Sequence, residues 1–597
     1  MTAAARDRIG LAILAAALYL GALGATDLWA PDEPTSGQVA REMLDTGRWV
    51  LPHLNGQYYP DKPPLLFWLI ALVSLPAGAV GSVSARLPSA VAGIALVLIT
   101  YEIGIRTRGR RVALAAALIL STCWMVFDKA RSAQTDLLLS ACVSAAMLAA
   151  VRVRQGGGRA AAAAFALACA AGLLAKGPVG AILPLGAVAL WAALERERGF
   201  LGRLLDPAAL LPALLVVGGW AAVAAVSGRA EGLDLLAAAE QQTVERFLEG
   251  RHHLQPAHYY AGALPRGLLP WSLLLPWVLV RAVGGSRRSR AGPAAAWLVF
   301  VLVFFTCSAE KRDLYLLPMY PAFALLAAEC ALAGERGDAG AAPAAGRRAL
   351  MPLALTCGVL ILVGTAGLFV PTAVVSAALP DTGDAGGELL GAGAVPAARF
   401  AAALCLPGAL LACAALRRGR GLPATGALAA GTAGTLLGVA FLVNPALNPE
   451  KSARPLVEWI EREAAASEKE AVAYRLYRAA FSFYGTVRWI PAESPAEVLE
   501  AAREHPGILV LTQATDLPAL LHDRRLAVSS LGPGRVGHRN YILAAVRPVP
   551  EEARRVELVR SLLPVRPEGV HNEKNTHLAT GPRSGSGNGD PVDRVRR

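Results

Sequence analysis

Charge is scarce in this 597-residue chain. Asp, Glu, Lys and Arg make up 17% of it, against 54% hydrophobic residues and a mean hydropathy of +0.43. Several ordinary soluble domains would spread their apolar residues more evenly. No CxxC pair occurs, and the eight cysteines all fall within or at the end of apolar blocks. They read as small packing residues rather than as a disulfide framework or a metal site. No fixed period runs through the chain, which argues against a helical solenoid of short amphipathic repeats. Acids are outnumbered, leaving a net charge of +13. In a soluble protein that excess would suggest nucleic acid. Here it sits in short Arg-rich loops, and no nucleic-acid partner is implied.

What the chain does have is apolar blocks of about 16–23 residues, the pattern of a polytopic helical membrane protein. The breaks between them include "RTRGRR" (106–111), "VRVRQGGGR" (151–159), "ERERGFLGR" (195–203), "RAVGGSRRSR" (281–290), "GERGDAGAAPAAGRR" (334–348) and "RRGRG" (417–421). Placing all six on the cytoplasmic side gives about thirteen spans, from about 10–27 to about 422–443. "PLLFWLIALVSLPAGAVG" (64–81) must then stay on the outer side. Counting it as a span would invert every later basic loop, so it is predicted to lie in the interface or re-enter. The first apolar run follows "RDR" as a signal peptide would, but Asp27 and the acids beyond it make a poor cleavage site, and the run reads as an uncleaved span. The N-terminus is then cytoplasmic and the C-terminus extracytoplasmic. Residues 1–444 form the membrane domain. Residues 445–550 carry strand-like "ILVLTQA" and "YILAAV" and a Ser-capped "SPAEVLEAAREH", and are predicted to form a small α/β domain. The polar tail 551–597 is predicted to be disordered.

The outer segments hold the unusual chemistry. Asp32 and Glu33 stand side by side where the first run ends. They are either helix-start acids or a general base at the membrane–water boundary. "YYPDKPPLLFW" brings Tyr59, Asp61 and Lys62 to headgroup depth, as an aromatic anchor or as a contact for a lipid phosphate. "DKARSAQTD" carries Arg131 and Asp136; Asp136 either caps the next span or shares the face of Asp32. His252, His253 and His258 lie in a long outer loop, solvated or ligating a metal with a carboxylate. "SAEKRDLYLLPMYPAFAL" supplies Lys311, Arg312, Tyr315 and Tyr320, an interfacial anchor or a phosphate clamp. Lys62, Lys129, Arg131, Lys176, Lys311 and Arg312 all break the positive-inside trend, and an outer anionic ligand would explain them.

"PDEPTSGQVAREMLDTGRWVLPHLNGQYYPDKPPLLFWL", followed in order by "ARLPSA", "AKGPVG", "LLPW" and the spaced pattern through 311–325, closely resembles the bacterial lipid A aminoarabinose transferases. Those are related to the protein O-mannosyltransferases, polytopic glycosyltransferases of the GT-C type. The resemblance implies an α-helical membrane fold with interfacial helices in the first outer loop and a small outer α/β domain. It implies a donor of polyprenyl phosphate, undecaprenyl in a bacterial inner membrane, carrying one sugar, and an envelope acceptor: a lipid, a glycan or a protein. By resemblance Asp32 is the catalytic base with Glu33 beside it, and Lys62 contacts the donor phosphate. Arg131, Lys311 and Tyr315 line the donor cavity, and Asp136 is the acid of the second outer loop. Tyr59 and Tyr320 are further candidates. Asp61, where the family has Glu, and His252 or His253 would hold a divalent metal; no organic cofactor is implied. Departures occur at "SGQ" after the acids and at "AQTD". A lipid or glycan transporter is the alternative; it predicts charges near mid-membrane and inverted repeats, and no clear repeat is found.

Overall fold

The computed structural model describes residues 1–235, 237, 254–284, 292–333, 350–369, 395–464, 470–476, 479–537 and 539–550. His252, His253 and the tail 551–597 lie outside them. Each of the thirteen apolar segments holds helix. The first nine helices are α1 (Ala3–Leu20), α2 (Asp32–Thr46), α3 (Leu65–Ser74), α4 (Ser82–Arg108), α5 (Arg110–Ser121), α6 (Trp124–Ala130), α7 (Thr135–Arg154), α8 (Gly158–Lys176) and α9 (Val179–Glu195). Among the described residues seven helical runs are long and apolar enough to cross a bilayer alone. Helices α5 and α6, bent by 63° at their junction, would make an eighth span together. The bend leaves no orphaned donor at Trp124, whose N–H reaches the Leu269 carbonyl at 2.9 Å. The Trp271 indole donates to Thr122 Oγ1 at 3.0 Å. Lipid supplies no partner for an open backbone group, so such a break must be satisfied within the protein.

In the block at 64–81 the helix is short, α3 followed by one 3-10 turn at Leu75–Ala77. The 10 residues of α3 reach about 15 Å at 1.5 Å per residue, half of a hydrocarbon core of about 30 Å. It packs on α2 and α4 as part of the first loop. A two-stranded hairpin precedes it, β1 (His53–Leu54) and β2 (Gln57–Tyr58). Asn55 and Gly56 both take positive φ, 55° and 76°, as a tight two-residue turn requires. Glu42 of α2 accepts their backbone N–H groups at 2.6 and 3.0 Å. The hairpin is thereby tied to α2, and the chain that leaves it carries Asp61 and Lys62.

Helix does not stop at residue 444: it runs on from Gly421 to Lys451, breaks at the extended Ser452, and resumes over Arg454–Ala464. A five-stranded sheet follows, β3 (Glu470–Tyr474), β4 (Arg488–Ala492), β5 (Ile508–Gln513), β6 (Leu526–Val536) and β7 (Arg539–Pro548). Its order is β4-β3-β5-β7-β6, parallel across β4-β3-β5 and antiparallel at β5-β7 and β7-β6. Alternate residues serve two cores, Ala471, Leu509 and Leu511 on one face, Val472, Tyr474 and Val510 on the other, the period of two expected of strands covered on both sides. Ser494 Oγ accepts from Glu497 N as the expected cap, while the Glu497 carboxylate accepts from Ser494 Oγ and from Glu493 N rather than from the Ser494 N–H that would close a capping box.

This sheet domain grips α2. Arg41 donates to the carbonyls of Ser482 and Phe483 at 2.5 and 2.9 Å. Tyr484 Oη lies on the backbone N–H of Leu28, 2.5 Å away. Phe483 comes so close to Gly37 that a Cβ there would stand 2.7 Å from its ring. Asp27 binds Arg454 and Ser452 at 2.9 and 2.8 Å. The helix that opens with Asp32 is therefore fixed from both domains.

Candidate active site

Four stretches distant in sequence meet around a cavity of about 170 Å³. The first loop contributes Asp32, Asp61 and Lys62; the start of α7 contributes Gln134, Thr135 and Asp136. Lys176 comes from the end of α8, and Ser308, Glu310, Arg312 and Tyr315 from one further strand-like segment and the turn after it. Asp32 is central. Its Oδ1 lies 3.8 Å from Lys62 Nζ, and its Oδ2 lies 3.3 Å from Arg312 Nη2. Gln134 Nε2 donates to the same Oδ2 at 2.9 Å, which turns its own Oε1 to a place without a hydrogen-bond partner among the described residues. Burial pushes the Asp32 carboxyl up, but Lys62, Arg312 and Lys129 together hold it below its ordinary value. It is a carboxylate at neutral pH, with two cations at hand and neither pair closed into a tight bridge.

A second pair stands across the cavity. Lys176 contacts Asp136, and its Nζ sits 4.7 Å above the Tyr315 ring. Lys176 arrives there because α8 and α9 turn back on each other at close quarters: a Cβ on Gly180 would fall 2.0 Å from the Gly172 carbonyl carbon. Tyr315 and Asp136 thus both line this cavity. Neither Lys176 nor Arg312 was assigned a role by it; both belong to the set of outer cations that the positive-inside trend leaves unexplained. Gln134 and Glu310 carried no such signal.

Five candidates lie elsewhere. Glu33 points away from the cavity and is saturated: Arg86 grips it at 2.7 and 2.8 Å, and the N–H groups of Trp29 and Ala133 donate at 2.9 and 3.0 Å. It is 5% exposed and Arg86 3%, so it holds the loop together rather than meeting a substrate. Arg131 donates to the carbonyls of Leu18, Gly21 and Ala22, capping the end of α1. Lys311 is buried, its Nζ on the carbonyls of Ser308 and Gln255 at 2.5 and 3.0 Å. The reason is period: the backbone around it is extended, Glu310 pairing with Leu254 as a β-bridge, so 308, 310 and 312 face the cavity and 311 cannot. Tyr59 packs edge-on against Phe67 at 6.2 Å in the first loop, and Tyr320 is buried in the bundle core. Neither lines the cavity. Asp61 does, but no three His, Cys, Asp or Glu among the described residues could hold a metal ion together; the two histidines implied as its partners lie outside them.

Comparison with known proteins bears on this geometry. Residues 61–221 match the family described as dolichyl-phosphate-mannose-protein mannosyltransferase, a stretch that holds Lys62, Asp136 and Lys176 but not Asp32 or Arg312. The chain is similar to an undecaprenyl phosphate-alpha-4-amino-4-deoxy-L-arabinose arabinosyl transferase of Sodalis glossinidius, 31% identical over 54% of this chain and 59% of that one. It is 32% identical to its Pseudomonas aeruginosa counterpart, over the same shares. The match therefore spans well over half, but not two thirds, of these relatives. In structure it is similar to ArnT from Cupriavidus metallidurans bound to undecaprenyl phosphate, with a TM-score of 0.71, 19% identity, and cover of 90% of this chain and 97% of the other. A lesser likeness, TM-score 0.50 at 11% identity, covering 86% of this chain and 70% of that one, links it to the archaeal oligosaccharyltransferase AglB from Archaeoglobus fulgidus. The chain has the GT-C fold of ArnT, and its likeness to the aminoarabinose transferases and to the mannosyltransferase family is the one its outer-loop motifs indicate.

Proposed function

We propose that the protein is an integral-membrane glycosyltransferase that moves a sugar from a polyprenyl-phosphate carrier to an envelope acceptor on the extracytoplasmic side. The observation that carries this is Asp32 with Lys62 and Arg312 both within 4 Å of it, in one cavity beside apolar helices. A sugar on a polyprenyl phosphate already has a good leaving group. The protein must neutralise the phosphate, orient the sugar and take a proton from the acceptor. Lys62 and Arg312 supply the positive charge, and the helices beside the cavity hold the isoprenoid. Asp32 takes the proton as the acceptor oxygen attacks the anomeric carbon; the C–O bond to phosphate breaks and the electron pair leaves with it. Direct displacement of this kind inverts the anomeric centre. The likeness to named transferases favours this reading over a transporter.

The resting charge balance suits such a sequence. Without donor, the two cations hold Asp32 ionised and weakly basic. An arriving phosphate takes those cations for itself. Asp32, still desolvated, then becomes a stronger base at the moment it is needed. The basic loops support an N-terminus in the cytoplasm of a bacterial cell and a sheet domain outside it. Undecaprenyl phosphate is the donor carrier by likeness to the relatives. A divalent ion at Asp61 would need His252 or His253 to complete its ligands; a loss of transfer on chelation, restored by added Mg²⁺ or Mn²⁺, is the expected sign of it. The main test is Asp32→Asn in membranes of a strain lacking the wild-type gene. Sugar transfer should fall by about 10²- to 10⁴-fold, and near-normal transfer would reject the proposal.

A further inference from the structure

The two carboxylate oxygens of Asp32 have different surroundings. Oδ2 is taken: Gln134 Nε2 donates to it at 2.9 Å and Arg312 Nη2 at 3.3 Å. Oδ1 accepts no hydrogen bond among the described residues, and Lys62 Nζ stands 3.8 Å away, beyond hydrogen-bond reach. Of the two donors on Oδ2, Arg312 is charged and partly exposed at the cavity wall. Gln134 is neutral and only 7% exposed.

The backbone of Gln134 is pinned on both sides. The residue precedes the first turn of α7 in extended conformation, with φ −134° and ψ 151°. Its carbonyl accepts from Ser89 Oγ of α4 at 3.1 Å, and its N–H reaches the Ser132 carbonyl at 2.8 Å. One position earlier, the N–H of Ala133 donates to Glu33 at 3.0 Å. Two adjacent acids of α2 are thus held by two adjacent residues, Glu33 by a backbone N–H and Asp32 by a side-chain amide. That amide fits only one way round. A carboxylate only accepts, so the NH₂ end must face Asp32, and Oε1 is left buried without a partner among the described residues. An apolar side chain of the same length would avoid the unmet acceptor. The glutamine keeps it, and gives Asp32 a donor without charge.

We propose that Gln134 is a positioning residue for Asp32: it holds Oδ2 and keeps Oδ1 turned to the acceptor, so that Oδ1 is the atom that takes the proton. The inference rests on the transferase reading above, in which Asp32 is the base. The neutral donor matters once the carrier arrives. Lys62 and Arg312 are then drawn to the phosphate by its charge. Gln134 has no charge to be drawn, so it stays on Oδ2 and stops the carboxylate from swinging about its Cβ–Cγ bond. The acceptor's proton passes to Oδ1, and the electron pair it leaves forms the bond to the anomeric carbon. The C–O bond to phosphate breaks, and its pair leaves with the phosphate.

The test compares wild type, Gln134→Met and Asp32→Asn as full chains in membranes of a strain lacking the wild-type gene, with that strain's own carrier-lipid extract titrated in as donor. Methionine matches glutamine in length and removes both the N–H donor and the unmet oxygen. For Gln134→Met the rate at saturating donor, per folded protein, should fall about 10- to 100-fold, as it does when reacting groups are misplaced. The half-saturating amount of donor should not change, nor should decaprenyl phosphate binding in nanodiscs or thermal unfolding in detergent. A merely structural glutamine would do the opposite, lowering the unfolding temperature and keeping the rate per folded protein. That result would overturn the assignment. So would a wild-type rate in a stable variant, or a raised half-saturation with the rate kept, which would mean that Gln134 meets the donor itself. Gln134→Leu gives the same readings if Gln134→Met does not fold. Asp32→Asn keeps two failures apart. Near-normal transfer by Asp32→Asn removes the base, and the role of Gln134 with it. An inactive Asp32→Asn beside a fully active Gln134→Met removes the role of Gln134 alone.

Discussion

Asp32 and Glu33 are neighbours in sequence and opposites in surroundings. On the packed side of the first turn of α2, Glu33 is closed into a bidentate pair with Arg86 and accepts two backbone N–H groups. On the open side, Asp32 faces two cations at 3.3 and 3.8 Å and a cavity. A buried charge that is fully met fixes a fold. A charge that is half met beside a cavity keeps its capacity for something else. Across this turn two adjacent carboxylates divide the roles, because a helix separates consecutive side chains by about 100°.

Exchanging each acid for its amide should separate the two sides most widely. Asp32→Asn should remove transfer and leave thermal unfolding nearly where it was, since its partners are partly exposed and such pairs contribute at most about 1 kcal/mol. Glu33→Gln should do the reverse. It leaves Arg86 buried with an unmet charge, at about 3–5 kcal/mol, read as a lower unfolding temperature in detergent or poor yield. Whatever protein does fold should keep much of its transfer activity. A stable Glu33→Gln protein without activity would place Glu33 in the chemistry and erase the contrast.

Much of this was legible in the sequence. The apolar blocks and basic loops give the helices, and the refusal of 64–81 to fit the charge pattern matches the short α3. What the chain did not reveal is which side of an element each polar residue takes. "DE" at 32–33 gives no sign that one acid turns to Arg86 in "ARLPSA", 53 positions on. "SAEKRD" offers four charged residues in a row, and only the extended backbone there decides that 310 and 312 face inward. Arg131 reads as an outer cation, but its partners are carbonyls at the end of α1, which no side-chain pattern announces. Lys176 and Arg312 were visible as anomalies of topology; only the fold brings them to one cavity.

The pair at 311 and 312 tests the same distinction at smaller scale. Arg312→Ala should weaken donor binding about tenfold or more through the loss of one charge-assisted contact to phosphate, measured as KM for a polyprenyl-phosphate sugar, with little change in stability. Lys311→Met should leave that KM alone. It strips the buried carbonyl of Ser308 and the part-buried one of Gln255 of their donor, which costs about 1–3 kcal/mol in unfolding free energy. Equal effects of the two variants on donor KM would mean the segment is not extended as described.

The smallest effect is the most specific to the proposed mechanism. In the free enzyme Lys62, Arg312 and Lys129 outweigh burial and hold Asp32 below the usual 3.8. A depressed carboxyl stays ionised until the pH falls through its lowered value, so kcat/KM, which reports free enzyme, should stay flat as pH falls to about 5 as far as this group is concerned. The ion-pair contribution to stability has the same sign: present above the ordinary carboxyl value and lost as pH falls through the depressed one. Once donor phosphate occupies the cations, the desolvation of Asp32 is less well opposed and its pKa rises. The acid limb of kcat, which reports the bound complex, should therefore lie at higher pH than that of kcat/KM. Arg312→Ala, which removes one of the two nearest cations in advance, should narrow the gap between the limbs by raising the lower one. Coincident limbs in wild type would mean that the phosphate does not draw on the cations that hold Asp32, and would return that carboxylate to the fixed company of Glu33.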